Sequence, residues 1–360
     1  MKNPFFVTSS NGYNHIDNNC SINKMTIAKT PIKGIDDSIE GKMVSEIFST
    51  PVITEKIKEN AEILKIPSDT PNENLPHLLL ELMDSTDKQV RSCVNNIATF
   101  FGKRLGLILL TLKTALPENR MVRPDWNDEH WEYWQNIKNI ITVGGLTNGN
   151  FGKIIVDEAQ KLCTFGEKLA YKITAFDNSS HIGIMGCAKL LENYDGINIL
   201  LDLGQTNMKR SIVTRKNGEI TNIKNLSSIP SKYMKWIIND NEEKEKQARL
   251  LHRYIVRIIT DTYKEASYLG KVQNEIIISI ANYTHGGVLD ATRGGYAKLA
   301  ILYKNYADYL SEELSGILKA PIKIKLVHDG TAVSLNFLDY PESVCITLGT
   351  FLGVGFTDIF

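Results

Sequence analysis

Short runs of β-branched and aliphatic residues alternate along this chain with amphipathic helical patterns, and this alternation restricts the fold more than any other feature. From Val90 to Leu112, apolar residues recur at spacings of three and four, which predicts a helix. Residues 276–280 are typical of a buried strand, and residues 323–327 alternate between polar and apolar side chains. The chain is therefore predicted to have an α/β fold.

A hairpin is predicted in the second half of the chain. Residues 198–201 and 210–215 indicate two strands, and Lys216-Asn217-Gly218 is a turn sequence that leads to a third. Because the strands of a hairpin run antiparallel, the sheet is predicted to be mixed. Long helices are predicted at residues 241–269 and 296–318, whereas residues 1–30 show only weak periodicity.

Composition excludes several classes of protein. Of the 360 residues, 42% are hydrophobic and 23% are charged, which is a globular composition in a chain long enough for two lobes. The 41 Lys and Arg residues balance 41 Asp and Glu residues, so the chain lacks the basic excess that binds nucleic acid or anionic membranes. No apolar run approaches the ~18 residues of a membrane span, and the first residues lack the apolar segment of a signal peptide. We therefore expect a cytoplasmic protein that binds neither nucleic acid nor membrane.

The cysteines do not indicate a metal site or a disulfide framework. There are five of them, an odd number, and no two have the close spacing of a zinc or redox motif. We expect buried, reduced thiols at Cys20, Cys93, Cys163, Cys187 and Cys345.

Three glycine turns follow strand-like runs, and the first of them combines several groups that suit a nucleotide. Asp202, at the end of a strand, could hold hydrated magnesium, and Gly204 lets the chain approach a phosphate closely. The Thr206 hydroxyl and the Lys209 ammonium could face phosphate oxygens. The alternative interpretation of this segment alone is an ordinary tight turn.

The other two glycine turns are less specific on their own. Gly349, Thr350 and Gly353 suit a second phosphate hairpin, for which the alternative is a glycine-rich β-hairpin without a ligand. Gly144 and Gly145 precede a helix, and a base and ribose could lie against their backbone. A strand followed by two glycines and a helix is a common arrangement in proteins of any function.

A carboxylate follows the strand predicted at residues 323–327. Asp329 stands at the end of this strand, and small residues after it open a helix. This is a suitable place for a general base that faces a reactant. The alternative is that Asp329 only caps the helix.

Together these segments resemble motifs of the sugar-kinase branch of the actin-like ATPase superfamily, specifically of hexokinases and the ROK family. Residues 201–207 resemble the first phosphate motif, Leu-Asp-Leu-Gly-Gly-Thr-Asn, and residues 348–355 resemble the ROK second phosphate motif, Gly-Thr-Gly-x-Gly. Residues 328–332 match the Asn-Asp-x-x-Ala segment that carries the catalytic aspartate of the family. Residues 141–147 resemble the adenosine motif, and residues 183–188 resemble the closing helix, Gly-x-x-Gly-Ala-Ala.

The order of these motifs differs from the order in the family, where the first phosphate motif opens the chain and the closing helix ends it. Here the closing helix ends near Leu191 and the first phosphate strand begins by Asn198, so that a short loop with Asn193 joins them. The resemblance therefore implies a circularly permuted, two-lobed actin-like ATPase (ribonuclease H-like) fold with mixed sheets flanked by helices. It implies a first-phosphate lobe at residues 192–327 and an adenosine-binding and second-phosphate lobe at residues 1–191 plus 328–360.

The resemblance implies an ATP-dependent kinase that phosphorylates a hydroxyl of a sugar, amino sugar or cyclitol. In that interpretation ATP and Mg²⁺ are the cofactors, Asp202 orients the metal, and Asp329 is the general base. Two lobes would close on Mg-ATP and exclude water. The phosphates would be held by Gly204, Thr206, Lys209, Gly349, Thr350 and Gly353, and the adenosine would be bordered by Gly144 and Gly145.

Several positions differ from the family pattern and leave the identity of the acceptor open. His328 replaces the asparagine that holds sugar hydroxyls, and residues 49–53 resemble the ROK Ser-Gly-Pro-Ala segment, which implies Glu46 or Glu40 as a sugar-contacting residue. Asn14-His15 is a partial match to the ROK sugar segment. Gln205 and Phe351 replace glycines of the two phosphate motifs and are expected to crowd the phosphates.

Two other functions remain open on the same fold. A ligand-sensing regulatory pseudokinase is the alternative, in which Gln205 and Phe351 mark lost catalysis, although the presence of Asp202 and Asp329 favours the kinase. A structural actin-like ATPase is disfavoured because Asp329 lies in the sugar-kinase type of segment. The resemblance is also compatible with a homodimer, since many ROK proteins are dimers.

Overall fold

A computed structural model of the chain describes residues 2–7, 15–164, 170–177, 179–192, 194–236, 239–292 and 294–359. Asn14 and Asn193, which entered the expectations above, lie outside the described residues. No disulfide joins any of the five cysteines, all of which are described and buried. None of the described helices is long and apolar enough to cross a membrane.

The α-helices are, in chain order, α1 (Val44–Ile47), α2 (Thr50–Glu59), α3 (Ala61–Leu64), α4 (Leu75–Glu81), α5 (Lys88–Thr114), α6 (Pro117–Met121), α7 (Asp128–Asn136), α8 (Gly149–Cys163), α9 (Ile182–Ala188), α10 (Asn241–Ser267), α11 (Tyr306–Leu318) and α12 (Asp329–Ser334). The β-strands are β1 (Phe6–Val7), β2 (His15–Ile16), β3 (Asn139–Val143), β4 (Lys172–Ala175), β5 (Gly196–Leu203), β6 (Asn207–Lys216), β7 (Glu219–Asn225), β8 (Ile229–Pro230), β9 (Val272–Ile280), β10 (Thr284–His285), β11 (Val288–Leu289), β12 (Lys323–His328), β13 (Ser343–Leu348) and β14 (Leu352–Phe356).

The chain divides into two compact units. Unit 1 comprises Met1–Phe5, Asn19–Ser180 and Asp339–Asp358, and unit 2 comprises Phe6–Asn18, His181–Leu338 and Ile359–Phe360. Each unit contains its own mixed sheet and its own helices. The structure therefore has the mixed α/β architecture that the alternating sequence patterns predict.

Unit 1 is built on a four-stranded sheet in the order β14-β13-β3-β4. Strands β13 and β14 form an antiparallel hairpin, whereas β3 runs parallel to β13 and β4 runs parallel to β3. Helix α5 packs along α8, and its first turn is capped by Asp87, whose Oδ1 accepts a hydrogen bond of 2.8 Å from the Gln89 amide. Trp131 and Trp134, three positions apart on α7, are buried.

Unit 2 is built on a larger sheet in the order β12-β9-β5-β6-β7, and β8 also pairs with β6. Strand β6 runs antiparallel to both β5 and β7. Strand β9 runs parallel to β5, and β12 runs parallel to β9. The β6–β7 turn has positive φ at Asn217 (56°) and Gly218 (77°), which is the backbone that a tight hairpin turn requires.

The two faces of this sheet are covered by different helices, because successive side chains of a strand point to opposite faces. Ile199 and Leu201 of β5 belong to the core that includes side chains of α10 and α11. Leu200 of β5 belongs to a second core that includes side chains of α9 and of Ala332 on α12.

The boundaries of the units differ from those of the expected lobes at four places. Phe6–Asn18 and Ile359–Phe360 are part of unit 2. Helix α9 and the segment from His328 to Leu338 belong to unit 2 rather than to the unit that holds Gly144 and Gly349. The reason is packing, since α9 lies against β5 and α12, and β12 continues into α12 without a break. The predicted helix at 296–318 is also interrupted, because Asn305 caps a new helix at its start by accepting a hydrogen bond from the Asp308 amide.

The sheets of the two units share one arrangement. In unit 2 the hairpin β5–β6 is extended on the β5 side by the parallel strands β9 and β12. In unit 1 the hairpin β13–β14 is extended on the β13 side by the parallel strands β3 and β4. The turns of both hairpins carry a glycine and a threonine, Gly204 with Thr206 and Gly349 with Thr350.

Candidate active site

The carboxyl ends of β5, β9 and β12 meet at one edge of the unit 2 sheet, because these strands are parallel. Asp202 of β5 is paired in register with Ser279 of β9 and with Lys209 of β6. Side chains in register on neighbouring strands share a face of the sheet. The strand pairing therefore gathers Asp202, Ser279 and Lys209 on the face that α9 and α12 cover.

Asp202 accepts two polar contacts within unit 2. Its Oδ1 accepts a hydrogen bond of 3.0 Å from the Ser279 hydroxyl, and its Oδ2 lies 3.3 Å from Lys209 Nζ. A Cβ atom at Gly183 of α9 would stand 3.5 Å from the Asp202 carboxyl, so this helix begins beside the carboxylate. Lys209 is thus paired with Asp202, although the sequence analysis assigned it to a phosphate.

The strand β12 ends in two adjacent titratable residues, His328 and Asp329. His328 caps α12, because its Nδ1 accepts a hydrogen bond of 3.3 Å from the Thr331 amide. An acceptor Nδ1 leaves the ring proton on Nε2, which lies 3.2 Å from Asp329 Oδ1. The capping side chain is therefore that of His328, and Asp329 is held by the ring of its neighbour.

His328 is buried, and it does not present a free ring nitrogen to an acceptor. Its ring stacks on Tyr283 at 4.5 Å between centroids and an interplanar angle of 14°. Burial lowers the pKa of His328 to about 3, so the ring is neutral at neutral pH. The sequence analysis expected His328 to contact a sugar hydroxyl, whereas both of its nitrogens face groups of the chain.

Asp329 has the properties of a base that is poised near neutral pH. Burial, followed by the negative charge of Asp202, raises the pKa of Asp329 to about 7. Its side chain nevertheless keeps 40% of its surface exposed, so that a reactant can reach it. Asp202 and Asp329 therefore lie close enough for one charge to act on the other.

The glycine turn after β5 is held from several sides. The Gly204 carbonyl accepts hydrogen bonds from the Ser231 hydroxyl at 2.7 Å and from the Tyr296 hydroxyl at 2.8 Å. A Cβ atom at Gly204 would stand 2.8 Å from the Asn207 carbonyl oxygen, so the tight turn requires glycine there. The Gln205 amide donates to the Ala281 carbonyl at 3.1 Å, and Thr206 is exposed.

The two glycine turns of unit 1 lie next to each other. Gly144 has φ of 110°, and a Cβ atom there would stand 2.5 Å from the carbonyl oxygen of Leu348, the last residue of β13. Only glycine allows this approach. The carbonyls of Gly349 and Thr350, which follow Leu348, accept hydrogen bonds of 3.1 and 3.0 Å from Thr50 at the start of α2.

Two residues of unit 1 take other positions than the sequence analysis expected. Gly353 lies inside β14, where it pairs with Thr347, and so it is a strand residue rather than part of the phosphate turn. Glu46 is exposed on α1, and its Oε2 accepts a hydrogen bond of 2.8 Å from the Met43 amide. Its carboxylate therefore caps the start of its own helix.

Several residues of the site escaped sequence reasoning. Ser279 is a hydroxyl inside an isoleucine run, and this interruption is the signal that could have found it. Burial is the main cause that lowers the pKa of His181. Lys209 lowers this pKa further and Asp202 raises it, so His181 lies close to both charges. Ser231 and Tyr296 are far from Gly204 in sequence, and no local pattern predicts their contacts.

Asp202 and Asp329 suit a metal ion that is also bound by water and substrate phosphates better than a metal ion held by protein ligands alone. Among the residues that the structure describes, no three His, Cys, Asp or Glu side chains form a metal-binding group. Asp202 offers a hard oxygen donor, and the mutual repulsion of Asp202 and Asp329 would be relieved by positive charge. Mg²⁺ usually keeps several waters and binds through one or two carboxylates and substrate phosphates, which suits this donor set.

Comparison with known proteins adds little to this geometry. No protein-family model matches the chain, and no curated protein matches it. The chain is similar to the crystal structure of the type II variant of the Aquifex aeolicus Ppx/GppA phosphatase, with 11% sequence identity and a TM-score of 0.30 over 65% of this chain and 82% of that chain. A similarity of this size carries no argument about fold or function.

Proposed function

We propose that the protein is an ATP-dependent kinase that phosphorylates a hydroxyl of a sugar, amino sugar or cyclitol. The observation that carries the proposal is the pair of carboxylates at the carboxyl ends of β5 and β12, the two parallel strands that lie on either side of β9. Asp202 is held by Ser279 and Lys209, whereas the pKa of Asp329 is raised to about 7. When the environments of two titratable groups differ in this way, acid–base roles can be assigned to them.

The cofactors of the proposed reaction are ATP and Mg²⁺. The motifs around Asp202, Asp329, Gly349 and Gly144 that resemble sugar kinases support this choice, and so does the repeated hairpin with a glycine and a threonine in its turn. Mg-ATP supplies the phosphoryl group. In this proposal Asp202 orients the hydrated metal, and the backbone of the Gly204 turn approaches the phosphates.

In this proposal the proton of the acceptor hydroxyl is transferred to a residue of the chain. Asp329 accepts the proton of the acceptor hydroxyl while the hydroxyl oxygen forms its bond to the transferred phosphorus and the bond to the ADP oxygen breaks. The proton then passes from Asp329 to solvent. His328 is a positioning residue in this proposal, since its Nε2–H is aimed at Asp329 Oδ1 and its ring is fixed by Tyr283.

The test is ADP release from Mg-ATP with a panel of sugars, amino sugars and cyclitols. With any acceptor that the wild type uses, Asp329→Asn should lower phosphoryl transfer by at least ~10² and leave nucleotide binding nearly unchanged, because it removes only proton acceptance. Asp308→Asn is the matched control, since Asp308 is an exposed aspartate in the first turn of α11. Turnover near that of the wild type in Asp329→Asn would remove the proposed mechanism.

The same assay separates the kinase from a ligand-sensing pseudokinase. The feature that favours the sensor is Gln205, whose side-chain amide donates a hydrogen bond to the Ala281 carbonyl beside the glycine turn. Thermal stabilisation by Mg-ATP, without turnover on any acceptor of the panel, would support the sensor and overturn the kinase.

A further inference from the structure

Strand β7 is the edge of the unit 2 sheet, and its backbone pairs on one side only. In the order β12-β9-β5-β6-β7 it pairs with β6, and no other described strand pairs with it. The N–H and C=O groups on the outer side of such a strand have no strand to bond to. Six of the seven residues from Glu219 to Asn225 are exposed, and Ile223 is half-buried. This edge can therefore accept one more strand.

A bulge in β7 puts its two isoleucines on the same face of the sheet. Ile220 is paired with Arg215 of β6, and Ile223 is paired with Val213, two positions from Arg215. Residues two apart on a strand share a face, and paired residues do too. The register shift between Thr214 and Arg215 makes this arrangement possible, because isoleucines three positions apart would otherwise point to opposite faces.

Two opposite charges lie on the other face of β7. Glu219 is paired with Lys216, and Lys224 is paired with Ile212, four positions from Lys216 on the same strand. Glu219 and Lys224 are both exposed, and neither forms an ion pair with another residue that the structure describes. Both charges are therefore available to a further strand.

The sequence of β7 is complementary to itself when two copies pair antiparallel about a twofold axis through the middle of the strand. Glu219 of each copy then lies opposite Lys224 of the other, and Ile220 lies opposite Ile223. Each of these pairs joins residues of one face, so ion pairs form on one face and apolar contacts on the other. A shift of one residue in either direction puts a charged residue opposite an isoleucine, and in-register parallel pairing puts like charges together.

We propose that the edge of β7 is a self-association surface, at which a second copy of this chain pairs antiparallel and Glu219 and Lys224 set the register. The series of five strands in one copy then continues into that of the other. A lysine on an edge strand discourages pairing with other strands, and Glu219 of the second copy removes this obstacle in one register. The assignment does not depend on the proposed function.

The size of the surface sets the expected affinity. A contact made by one pair of short strands is smaller than the ~1,200–2,000 Å² that stable complexes bury. We therefore expect a reversible dimer with a Kd on the order of 10–100 µM. Sedimentation equilibrium of the full chain at about 5–500 µM covers this range.

Two charge reversals test the register. Glu219→Lys leaves two positive charges on the edge, and Lys224→Glu leaves two negative charges. Each variant should dimerise with itself at least ~10-fold more weakly than the wild type, because every charge then faces a like charge across the axis. Both positions are exposed, so both variants should keep the circular dichroism spectrum of the wild type.

The two variants are then mixed in equal amounts. In the proposed register the positive charges of one variant face the negative charges of the other, so the mixture should dimerise with a Kd within ~3-fold of the wild-type value. The matched control is Glu312→Lys, which makes the same change of charge at an exposed position of α11 and should keep the wild-type Kd.

Three results would overturn the assignment. A wild type that stays monomeric up to about 500 µM would leave this edge to a different protein or to none. Glu219→Lys that dimerises as the Glu312→Lys control does would place the association elsewhere on the chain. A mixture of the two reversals that associates no better than its components would show that Glu219 and Lys224 do not meet across the axis.

Discussion

The contrast between Asp202 and Asp329 shows how position on a sheet sets the chemistry of a carboxylate. Asp202 points to the face that also carries Ser279 and Lys209, and so it receives a hydroxyl and an ammonium group. Asp329 follows β12, which β9 separates from β5, and among the described residues its carboxylate contacts the Gly330 amide and the His328 ring. Burial and the charge of Asp202 therefore act on its pKa without an opposing positive group.

The raised pKa of Asp329 predicts the pH dependence of the proposed reaction. A general base acts only when it is deprotonated, so kcat/KM should rise with pH through about 7 and level off above it. A carboxylate with an ordinary pKa near 4 would give a flat profile over pH 5.5–8. The measurement is the profile of kcat/KM for Mg-ATP at saturating acceptor, which reports the enzyme before the metal binds, and a flat profile in that range would contradict the role of Asp329.

At the scale of elements, the contact of α9 with α12 depends on one glycine. A Cβ atom at Gly186 would stand 1.6 Å from the Ala332 carbonyl oxygen, a backbone atom that cannot turn away. Gly186→Ala should therefore lower the free energy of unfolding by at least ~2 kcal/mol, because the two helices must separate or shift. Urea denaturation followed by circular dichroism measures the loss.

Gly316→Ala is the control for that substitution. Gly316 lies inside α11, where a Cβ atom would meet nothing within 4 Å, so alanine should raise the free energy of unfolding by about 0.5–1 kcal/mol through its helix propensity. If Gly186→Ala were as stable as Gly316→Ala, the close approach of α9 to α12 would be incorrect.

A buried lysine holds the segment that supports the Gly204 turn. Lys298 Nζ donates to the carbonyls of Tyr233 and Lys235, and Ser231, at the start of the same segment, donates to the Gly204 carbonyl. Lys298→Met keeps most of the packing and removes both donors. Trypsin should then cleave after Lys235 several-fold faster, and the KM for Mg-ATP should rise more than kcat falls.

Lys304→Met is the control for this prediction, since Lys304 is exposed and, like Lys298, precedes α11 in the sequence. It also removes one tryptic site without touching the segment at 231–236. Cleavage of Lys298→Met at the rate of this control would show that Lys298 does not hold the segment.

The sequence predicts long elements well because their periodicity extends over many residues. The stripe from Val90 to Leu112 lies within α5, and the helix predicted at 241–269 is observed at Asn241–Ser267. Strands β2 and β10 have two residues each, which is too short for any period, and so the sequence does not predict them. Motif matching indicated Asp202 and Asp329, but the hydrogen bonds that define their roles come from residues distant in sequence.

At the scale of the whole molecule, the two sheets share an arrangement but not a chain order. In unit 2 the hairpin β5–β6 precedes the parallel strands β9 and β12 in sequence. In unit 1 the parallel strands β3 and β4 come first, and the equivalent hairpin β13–β14 ends the sequence. This difference supports the circular permutation that the motif order implies, because moving residues 1–191 behind residue 360 gives both sheets the same order.

Residues close to the two ends of the chain contact each other within unit 1. Phe5 stacks on Phe356 at 5.3 Å with an interplanar angle of 5°, and Asn3 Nδ2 donates to Asp358 Oδ1 at 3.1 Å. A short linker can therefore connect them. At the proposed junction, Tyr194 is 63% exposed, and the next residue, Asp195, accepts a hydrogen bond of 2.9 Å from the Gly218 amide.

Restoring the proposed original order is the test of the permutation. A chain in which a short Gly–Ser linker joins residue 360 to residue 1, and which is opened between Asn193 and Tyr194, should fold with the circular dichroism spectrum of the wild type. Its thermal midpoint should change by only a few degrees, because new termini are tolerated where the break falls in an exposed loop and the old termini are close. The control has the same linker but is opened between Val213 and Thr214 inside β6, where it interrupts a strand that pairs on both sides, and it should not fold. If the chain opened at Tyr194 fails to fold as the control does, residues 191–196 are part of an indivisible element, and the permutation is rejected.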